Sequence, residues 1–302
     1  MRTNTVFPSR ISWKGWAHAP RDDLGIVIGI DVGGSTTKIV GFRDSGGKRE
    51  LISPQFVKAN DPLTATYGAF GKFTVENGIK ISEIDKVLMT GVGASYMQND
   101  LYGIECVRVP EFDCIGRGGI YLSGLDSALI VSMGTGTALV HANKNGNMKY
   151  LGGTGVGGGT LVGLSKLLVG AADIGHISEF VEQGELGNVD LRIKDMMASG
   201  AVPVINADMT AANFGNVSDV ATKADIAKGI SNLVYETVGM VSIFASRSVG
   251  VTDIVLTGNL TRLESCIKKF EEFNHLGYGV KFTVPELSEF STAIGCAISA
   301  FN

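Results

Sequence analysis

Little in this sequence marks a binder of polyelectrolytes. Its 302 residues carry 26 Lys+Arg against 30 Asp+Glu, a formal net charge of −4, with no basic run. Binding through phosphate neutralisation usually leaves a basic excess or stripe, so nucleic acid is set aside as a partner. No stretch nears the ~18 uninterrupted apolar residues of a membrane span, and no membrane partner is expected. The cysteines Cys106, Cys114, Cys266 and Cys296 form no CxxC pair and keep no metal-ligand spacing to a histidine. That predicts reduced thiols in a cytosolic core. The four histidines are scattered, so neither a metal cluster nor a Ser-His-Asp order has support. Residues 1–24 hold Arg2, Arg10, Lys14, Arg21 and both tryptophans but no apolar segment. They are expected to form a polar, aromatic leader and not a secretory signal; Pro8 and Pro20 discourage a helix there.

What the chain does have is apolar mass and glycine. The 44% apolar share is ample for a core and excludes disorder. Glycine, at 41 of 302 residues, is about twice its ~7% average, and it clusters in short runs flanked by apolar residues. Those runs are turns inside a fold. Gly25–Asp31 reads as an apolar strand ending at an acid, Val32–Thr37 as a tight turn and Lys38–Phe42 as the returning strand. A helix is expected at 61–77 and a strand at 86–89. Glu111 and Asp113 lie in an acid-bearing segment before a Gly-rich helix near 114–124. The opening pattern then repeats: strand 128–133, turn Gly134–Thr137, strand 138–141. Strand, small-residue turn, strand in both halves marks a duplicated domain. The spacing of Ile226, Ile230, Leu233, Val234, Val238, Val241 and Phe244 predicts a long helix over 223–247, either a core helix or one shared between subunits.

Three glycine/hydroxyl turns, at 31–37, 134–137 and 257–260, lie at predicted strand ends. Such turns expose backbone N–H groups, and their small side chains let a phosphate approach closely. Ser35, Thr36, Thr135 and Thr137 add hydroxyls. Gly157-Gly158-Gly159-Thr160 opens a helix, whose N-terminus favours an anion. Together these converge on a nucleotide polyphosphate. There is no GxxxxGK[ST], and the first glycines lead into a β-branched strand and not the helix a dinucleotide site needs. What remains is a nucleotide held between two domains by paired hairpins.

On these residues the chain resembles the acetate-kinase/sugar-kinase/Hsp70/actin superfamily, and within it the type II (eukaryotic-like) pantothenate kinases. The matching motifs are Gly29-Ile-Asp-Val-Gly-Gly-Ser-Thr-Thr-Lys38, Thr90-Gly-Val-Gly-Ala94, Glu111-Phe-Asp113, Gly134-Thr-Gly-Thr137 and Gly152–Thr160. Asp208-Met-Thr-Ala-Ala-Asn-Phe-Gly-Asn-Val217 and Phe290-Ser-Thr-Ala-Ile-Gly-Cys-Ala297 complete them, in family order over nearly all of 25–302. The resemblance implies a two-domain α/β fold of the actin-like ATPase (ribonuclease H-like) type, divided at 25–124 and 125–302. Its nucleotide cleft lies between the duplicated sheets, and the C-terminal helix packs back on the first domain. It implies ATP and Mg²⁺ as cofactors, a cytoplasmic homodimer, pantothenate as substrate and an acyl-CoA as a further ligand.

Carried over by position, the resemblance has Asp31, Val32, Gly33, Gly34, Ser35, Thr36, Thr37 and Lys38 holding the phosphates, with Asp31 near Mg²⁺ through water. Thr135, Gly136, Thr137, Gly158, Gly159, Thr160, Leu161 and Val162 continue that site, and Gly258 and Asn259 sit near the adenosine. Glu111 corresponds to the base for the pantothenate hydroxyl. Asp113, Tyr150, Ala212 and Asn213 fall at acceptor-binding positions. One departure stands out, because Tyr150 occupies the place of a family arginine and cannot neutralise charge. Lys149 is expected to point away from it, since strand side chains alternate; Arg192 and Lys194 are the other cations within reach. That departure keeps open a pantetheine-like or other small hydroxyl acceptor, or a weakly active nucleotide- or acyl-CoA-binding regulator. An activator of a radical dehydratase shares the hairpins but needs cysteines that bridge subunits around an iron–sulfur cluster.

Overall fold

The computed structural model describes residues 25–34, 36–45, 48–58, 61–97, 100–197 and 207–301. The leader, Ser35 and the Gly46–Gly47 turn lie outside them. The chain opens with strands β1 (Ile26–Val32), β2 (Thr37–Ser45) and β3 (Lys48–Val57), then helix α1 (Pro62–Glu76). Next come β4 (Ile84–Thr90), β5 (Asp100–Leu101), β6 (Ile104–Arg108) and α2 (Glu111–Ser123). The second half starts with β7 (Ser127–Met133), β8 (Thr137–Asn143) and β9 (Met148–Thr154), followed by α3 (Gly158–Leu168) and α4 (Ile174–Gln183). After β10 (Leu191–Arg192), α5 (Ile193–Met196) and β11 (Thr210–Ala212) runs the long α6 (Lys223–Val249). The chain closes with β12 (Asp253–Thr257), α7 (Glu264–Asn274), β13 (Lys281–Thr283) and α8 (Ser291–Ile298).

Two sheets share one plan. The first has the order β3-β2-β1-β4-β6-β5, an antiparallel meander β1–β3 to which β4 and β6 add in parallel. The second, β13-β12-β7-β8-β9, repeats the meander as β7–β9 and the parallel additions as β12 and β13. β1 reads IVIGIDV and is buried throughout, as an unalternating apolar strand must be when both faces are covered. One face meets Phe70 and Phe73 of α1, the other Ala293, Ile294 and Ala297 of α8. On the second sheet, α6 and α7 cover one face through Ile230, Val234, Val238 and Phe270. Ile115 and Ile120 of α2 cover the other.

The two inner helices are therefore exchanged. α2 follows the first sheet yet packs on the second, and α8 follows the second yet packs on the first. They cross in direct backbone contact. A Cβ on Gly118 would fall inside the carbonyl of Ser291, and one on Gly295 inside the carbonyl of Cys114. The buried thiols of Cys114 and Cys296 meet at the same crossing.

Several elements differ from the sequence expectation. The helix expected near 114 begins at Glu111. Pro110, at φ −56°, presets its entry, and Glu111 and Asp113 in the first turn complement the helix dipole. The turn at 45–48 suggests a hairpin or meander, and β3 makes it a three-stranded meander. α6 starts at a Thr222/Asp225 capping box and stops at Gly250 in the left-handed conformation. Its Ile230, Val234 and Val238 are core, while Phe244 stays 59% exposed. No helix among the described residues is long and apolar enough to cross a membrane.

The crossing gives a stability prediction. Gly118→Ala forces the two helix backbones apart and should cost about 1–3 kcal/mol or more. Gly71→Ala in α1, where an added methyl meets nothing within 4 Å, should gain roughly 0.5–1 kcal/mol. Urea denaturation of both variants checks this; equal midpoints would refute the close approach.

Candidate active site

The site forms where parallel strands of both sheets end, the usual place for a ligand in α/β folds. Asp31, the penultimate residue of β1, pairs with Lys38 across the hairpin and lies in register with Thr90 of β4. Gly33 N–H closes the first turn on Thr36 O at 3.1 Å. After β7, Gly134-Thr135-Gly136 makes the second turn, and a Cβ on Gly34 would lie 3.9 Å from Thr135 Oγ1, so the two loop tips face each other. Asn259 Nδ2, just after β12, donates to Thr36 Oγ1 at 3.2 Å, and the neighbouring Gly258 N–H binds Ser288 O at 3.1 Å. The first turn of α3 clasps the second hairpin, with Gly158 and Gly159 N–H on the carbonyls of Gly134 and Thr135 at 2.9 and 2.8 Å. These contacts bring the turns at 33–36, 134–136 and 258–259 and the first turn of α3 together at the ends of the two sheets.

Burial sets the electrostatics. Asp31 is held above the ordinary carboxylate range by desolvation, against the pull of Lys38. Lys38 is held below the ordinary lysine value by the same burial, with Arg262 pushing the same way and Asp31 and Glu289 opposing. Glu111 is half-buried and raised first by desolvation and second by the charge of Asp31. The two carboxylates are therefore within electrostatic reach of each other even though they come from different elements. Val109 N–H binds Met89 O at 2.9 Å, which brings the start of α2 beside the end of β4. Gly91, at φ +88°, leaves room for Asp31, because a Cβ there would sit 2.8 Å from its Oδ1. A site with two carboxylates under mutual repulsion and one buried ammonium favours an added cation. A single carboxylate combined with phosphate oxygens and water is a donor set that suits Mg²⁺, so Asp31 fits that role. Among the described residues no group of three or more His, Cys, Asp or Glu side chains could hold a metal by itself.

Several expected contributors serve the scaffold instead. Thr137 Oγ1 donates to Val156 O at 2.8 Å and Thr160 Oγ1 to Gly155 O at 2.9 Å, so neither hydroxyl is directed at a phosphate. The Gly158 and Gly159 N–H groups are also engaged, leaving α3 to contribute loop shape more than donors. Val32 and Leu161 are fully buried in the two cores, Thr37 is buried, and Val162 packs against the second core. Asp113 is half-buried on α2. Ala212 is exposed at the end of β11. The Asn213 amide turns inward, to Asp190 Oδ2 at 3.4 Å and Glu236 Oε2 at 3.5 Å.

The cations named as substitutes near Tyr150 are engaged elsewhere. Arg192 pairs with Asp195 at 3.6 Å and Lys194 with Asp208 at 2.6 Å. Lys149 lies opposite His141 and shares its face. Tyr150 instead stacks on Phe112, with centroids 3.8 Å apart and planes 10° from parallel. Arg262 and Glu289 carry no signal in the sequence, whereas Gly91 sits inside the Thr90–Ala94 motif and Phe112 inside one read for its acids.

A family model, Fumble, matches residues 123–282, more than half of the chain. The chain belongs to the Fumble family. Similar curated proteins include a type II pantothenate kinase of Oceanobacillus iheyensis, 29% identical over 257 residues, 82% of this chain and 89% of that one. Another, from Staphylococcus aureus, is 28% identical over 278 residues, 89% of this chain and 97% of that one. Among solved structures, the activator of 2-hydroxyisocaproyl-CoA dehydratase from Clostridium difficile with bound ADPNP superposes with a TM-score of 0.62. It is 18% identical and covers 91% of this chain and 94% of that one. A ROK family glucokinase from Streptomyces griseus with glucose and AMPPNP gives 0.56 at 13% identity, covering 90% and 98%. Both structural likenesses concern the fold, that of two-domain actin-like ATPases and sugar kinases.

The block around Asn213 carries its own prediction for this Fumble-family chain. Asp190, fully buried, accepts from Phe214 N–H and Asn232 Nδ2, each at 2.8 Å. It thereby holds Phe214 at φ +56°, an uncommon conformation for a bulky residue. Asp190→Ala should cost about 2–4 kcal/mol by orphaning those donors, read as a lowered denaturation midpoint. Asn213→Ala, losing only long contacts, should cost less.

Proposed function

We propose that the protein transfers the γ-phosphoryl group of ATP to the primary hydroxyl of pantothenate, giving 4'-phosphopantothenate, the first step of coenzyme A biosynthesis. What supports this is Glu111, within electrostatic reach of Asp31 where the start of α2 is tied to the end of β4. Family membership and the type II pantothenate kinase relatives supply the acceptor.

In this reading the turns at 33–36 and 134–136 hold the triphosphate, with Lys38 as a buried positive charge behind Asp31. Asn259, bonded to Thr36, ties the adenosine side of the second half to the phosphate side of the first. Asp31 would hold Mg²⁺, which would supply neutralisation of phosphate charge. Phosphoryl transfer depends mostly on in-line positioning and such neutralisation. The remaining chemical task is one proton. Glu111 accepts it from the hydroxyl as the new O–P bond forms and the bond to the ADP oxygen breaks. A carboxylate of raised pKa is a stronger base than an exposed one, which suits the task.

A pantetheine-like acceptor is the second reading, favoured by the neutral Phe112–Tyr150 pair. Free thiols at all four cysteines are in keeping with a cytoplasmic protein. Three of those thiols are buried, which speaks against a cluster bridging two subunits. A homodimer and an acyl-CoA ligand complete the proposal, the exposed Phe244 of α6 supporting contact with a second copy.

ADP release with pantothenate present and absent tests the reaction. Glu111→Gln should lower turnover at least about a hundredfold while nucleotide affinity, measured by calorimetry, stays within about threefold. A protonated carboxyl cannot accept the proton, so kcat/KM should fall as pH drops through the raised Glu111 value. The midpoint of that acid limb should lie above the ordinary glutamate range. A limb within the ordinary range, or equal turnover in variant and parent, would remove Glu111 from this role.

A further inference from the structure

Folded proteins leave few buried polar atoms without a hydrogen-bond partner, and each exception calls for a reason. Thr90 Oγ1 is such an atom, in a residue only 2% exposed. Ser291 Oγ is another, but a Cβ on Gly118 would lie 2.8 Å from it, so it is shut into the crossing of α2 and α8. Thr90 stands elsewhere, at the end of β4 beside the carboxylate of Asp31.

The register fixes that placement. Thr90 is the last residue of β4 and lies opposite Asp31 on the parallel strand β1. Residues in register on neighbouring strands point to the same face, with the strands about 4.8 Å apart. The face is the one α8 covers. Leu88, two residues before Thr90, packs with Ala293 and Ile294, and a Cβ on Gly29, two before Asp31, would lie 2.6 Å from Ala297 N. Lys38 pairs with Asp31 from β2. Lys38, Asp31 and Thr90 therefore form one polar row across three strands, where the apolar face ends. The Asp31 carboxylate leans along this row towards β4, because a Cβ on Gly91, the residue after Thr90, would lie 2.8 Å from Asp31 Oδ1. On its other side Thr90 is followed by Val109, which packs into the same apolar cluster and whose N–H binds Met89 O. Among the described residues no hydrogen bond or ion pair holds the Asp31 carboxylate. A donor without an acceptor thus adjoins an acceptor without a donor.

We propose, resting on the reading of Asp31 as the residue that holds Mg²⁺, that Thr90 is its positioning residue. By rotating its side chain, Thr90 donates its hydroxyl hydrogen to the Asp31 carboxylate when Mg²⁺ and nucleotide are bound, and so fixes the direction in which the free oxygen is presented. A hydroxyl bonded to an ionised carboxylate is about twice as strong a partner as one bonded to a neutral group. Outer partners of this kind orient the groups that hold a metal, and their loss typically costs about 10–100-fold in metal affinity. Thr90 has no contact with phosphate or acceptor in this arrangement. An orphaned hydroxyl also gives the free protein nothing, since replacing it by an apolar group of the same shape is nearly neutral or stabilising. A positioning threonine and a scaffold threonine therefore respond to the same substitution with opposite signs.

The full chain, as Thr90→Val, Thr90→Ser and Asp31→Asn, is titrated by calorimetry with a non-hydrolysable ATP analogue, once with Mg²⁺ and once with EDTA. Urea midpoints are measured on the same variants without ligand. Thr90→Val should keep or raise the midpoint, weaken binding in Mg²⁺ about tenfold and leave binding in EDTA within about twofold. Thr90→Ser keeps the hydroxyl and should bind in Mg²⁺ within about threefold of the parent. With ATP and pantothenate, the Mg²⁺ concentration giving half-maximal kcat should rise in Thr90→Val by a factor similar to the loss of binding.

Unchanged binding in Mg²⁺ for Thr90→Val would overturn the proposal. So would a lowered midpoint with equal losses in Mg²⁺ and EDTA, which assigns Thr90 to the scaffold. A fall in kcat with the Mg²⁺ dependence unmoved would give the hydroxyl to Glu111, two residues past Val109, and overturn it too. Asp31→Asn separates the two levels. Intact Mg²⁺-dependent binding in that variant would remove Asp31 from its role, whereas a loss there and none in Thr90→Val would remove Thr90 alone. Thr90→Ala, read on binding, replaces Thr90→Val if the latter fails to fold, with the same loss expected in Mg²⁺.

Discussion

The backbone contact between α2 and α8 is the constraint on which the molecule turns. Each helix belongs by sequence to one sheet and by packing to the other, so neither core is complete without the exchange. Gly118 and Gly295 permit an approach that any side chain would block. Glu111, at the start of α2, inherits its position from that crossing. Asp31, at the end of β1, inherits its own from the strand against which α8 packs. A carboxylate from each element is thus brought within electrostatic reach by a contact in which neither takes part.

The cleft stores unfavourable electrostatics. Two carboxylates are held partly out of water, and the buried Lys38 offsets only one of them directly. Proteins of ordinary stability keep such an arrangement when the surrounding structure over-determines it. Here the hairpin register, the Gly91 turn and the clasp between α3 and the second hairpin do so. The same clasp explains why the glycine-rich stretch before α3 differs from a simple helix-terminal anion site, because its first donors hold the protein's own loop.

Much of the fold could be read from the chain. Apolar strands ending in glycine/hydroxyl turns, once in each half, are local signals of period and turn chemistry, and β1, β2, β7 and β8 appear where those signals stand. Asp31 and Glu111 were legible as acids at the ends of such segments. What stayed hidden is tertiary. Val32 and Leu161 follow turn residues directly, and nothing local says that their side chains face the cores. Thr137 and Thr160 look like phosphate donors until the carbonyls of Val156 and Gly155 come within reach. Arg262 and Glu289 approach Lys38 from more than two hundred residues away, and Phe112 meets Tyr150 only because α2 leaves its own sheet. Asn213 belongs to a motif that suggests ligand contact, yet its amide is turned toward Asp190 and Glu236 by the packing of α6.

The exchange of helices also has a temporal side. The first sheet is made early on the ribosome, but the residues that seal its second face, 291–298, emerge about 250 residues after β2. Val27, Val40 and Leu88, which those residues cover, must wait through the synthesis of the entire second half. Chain growth alone cannot finish this protein piece by piece, and maturation of its two lobes is a single late event.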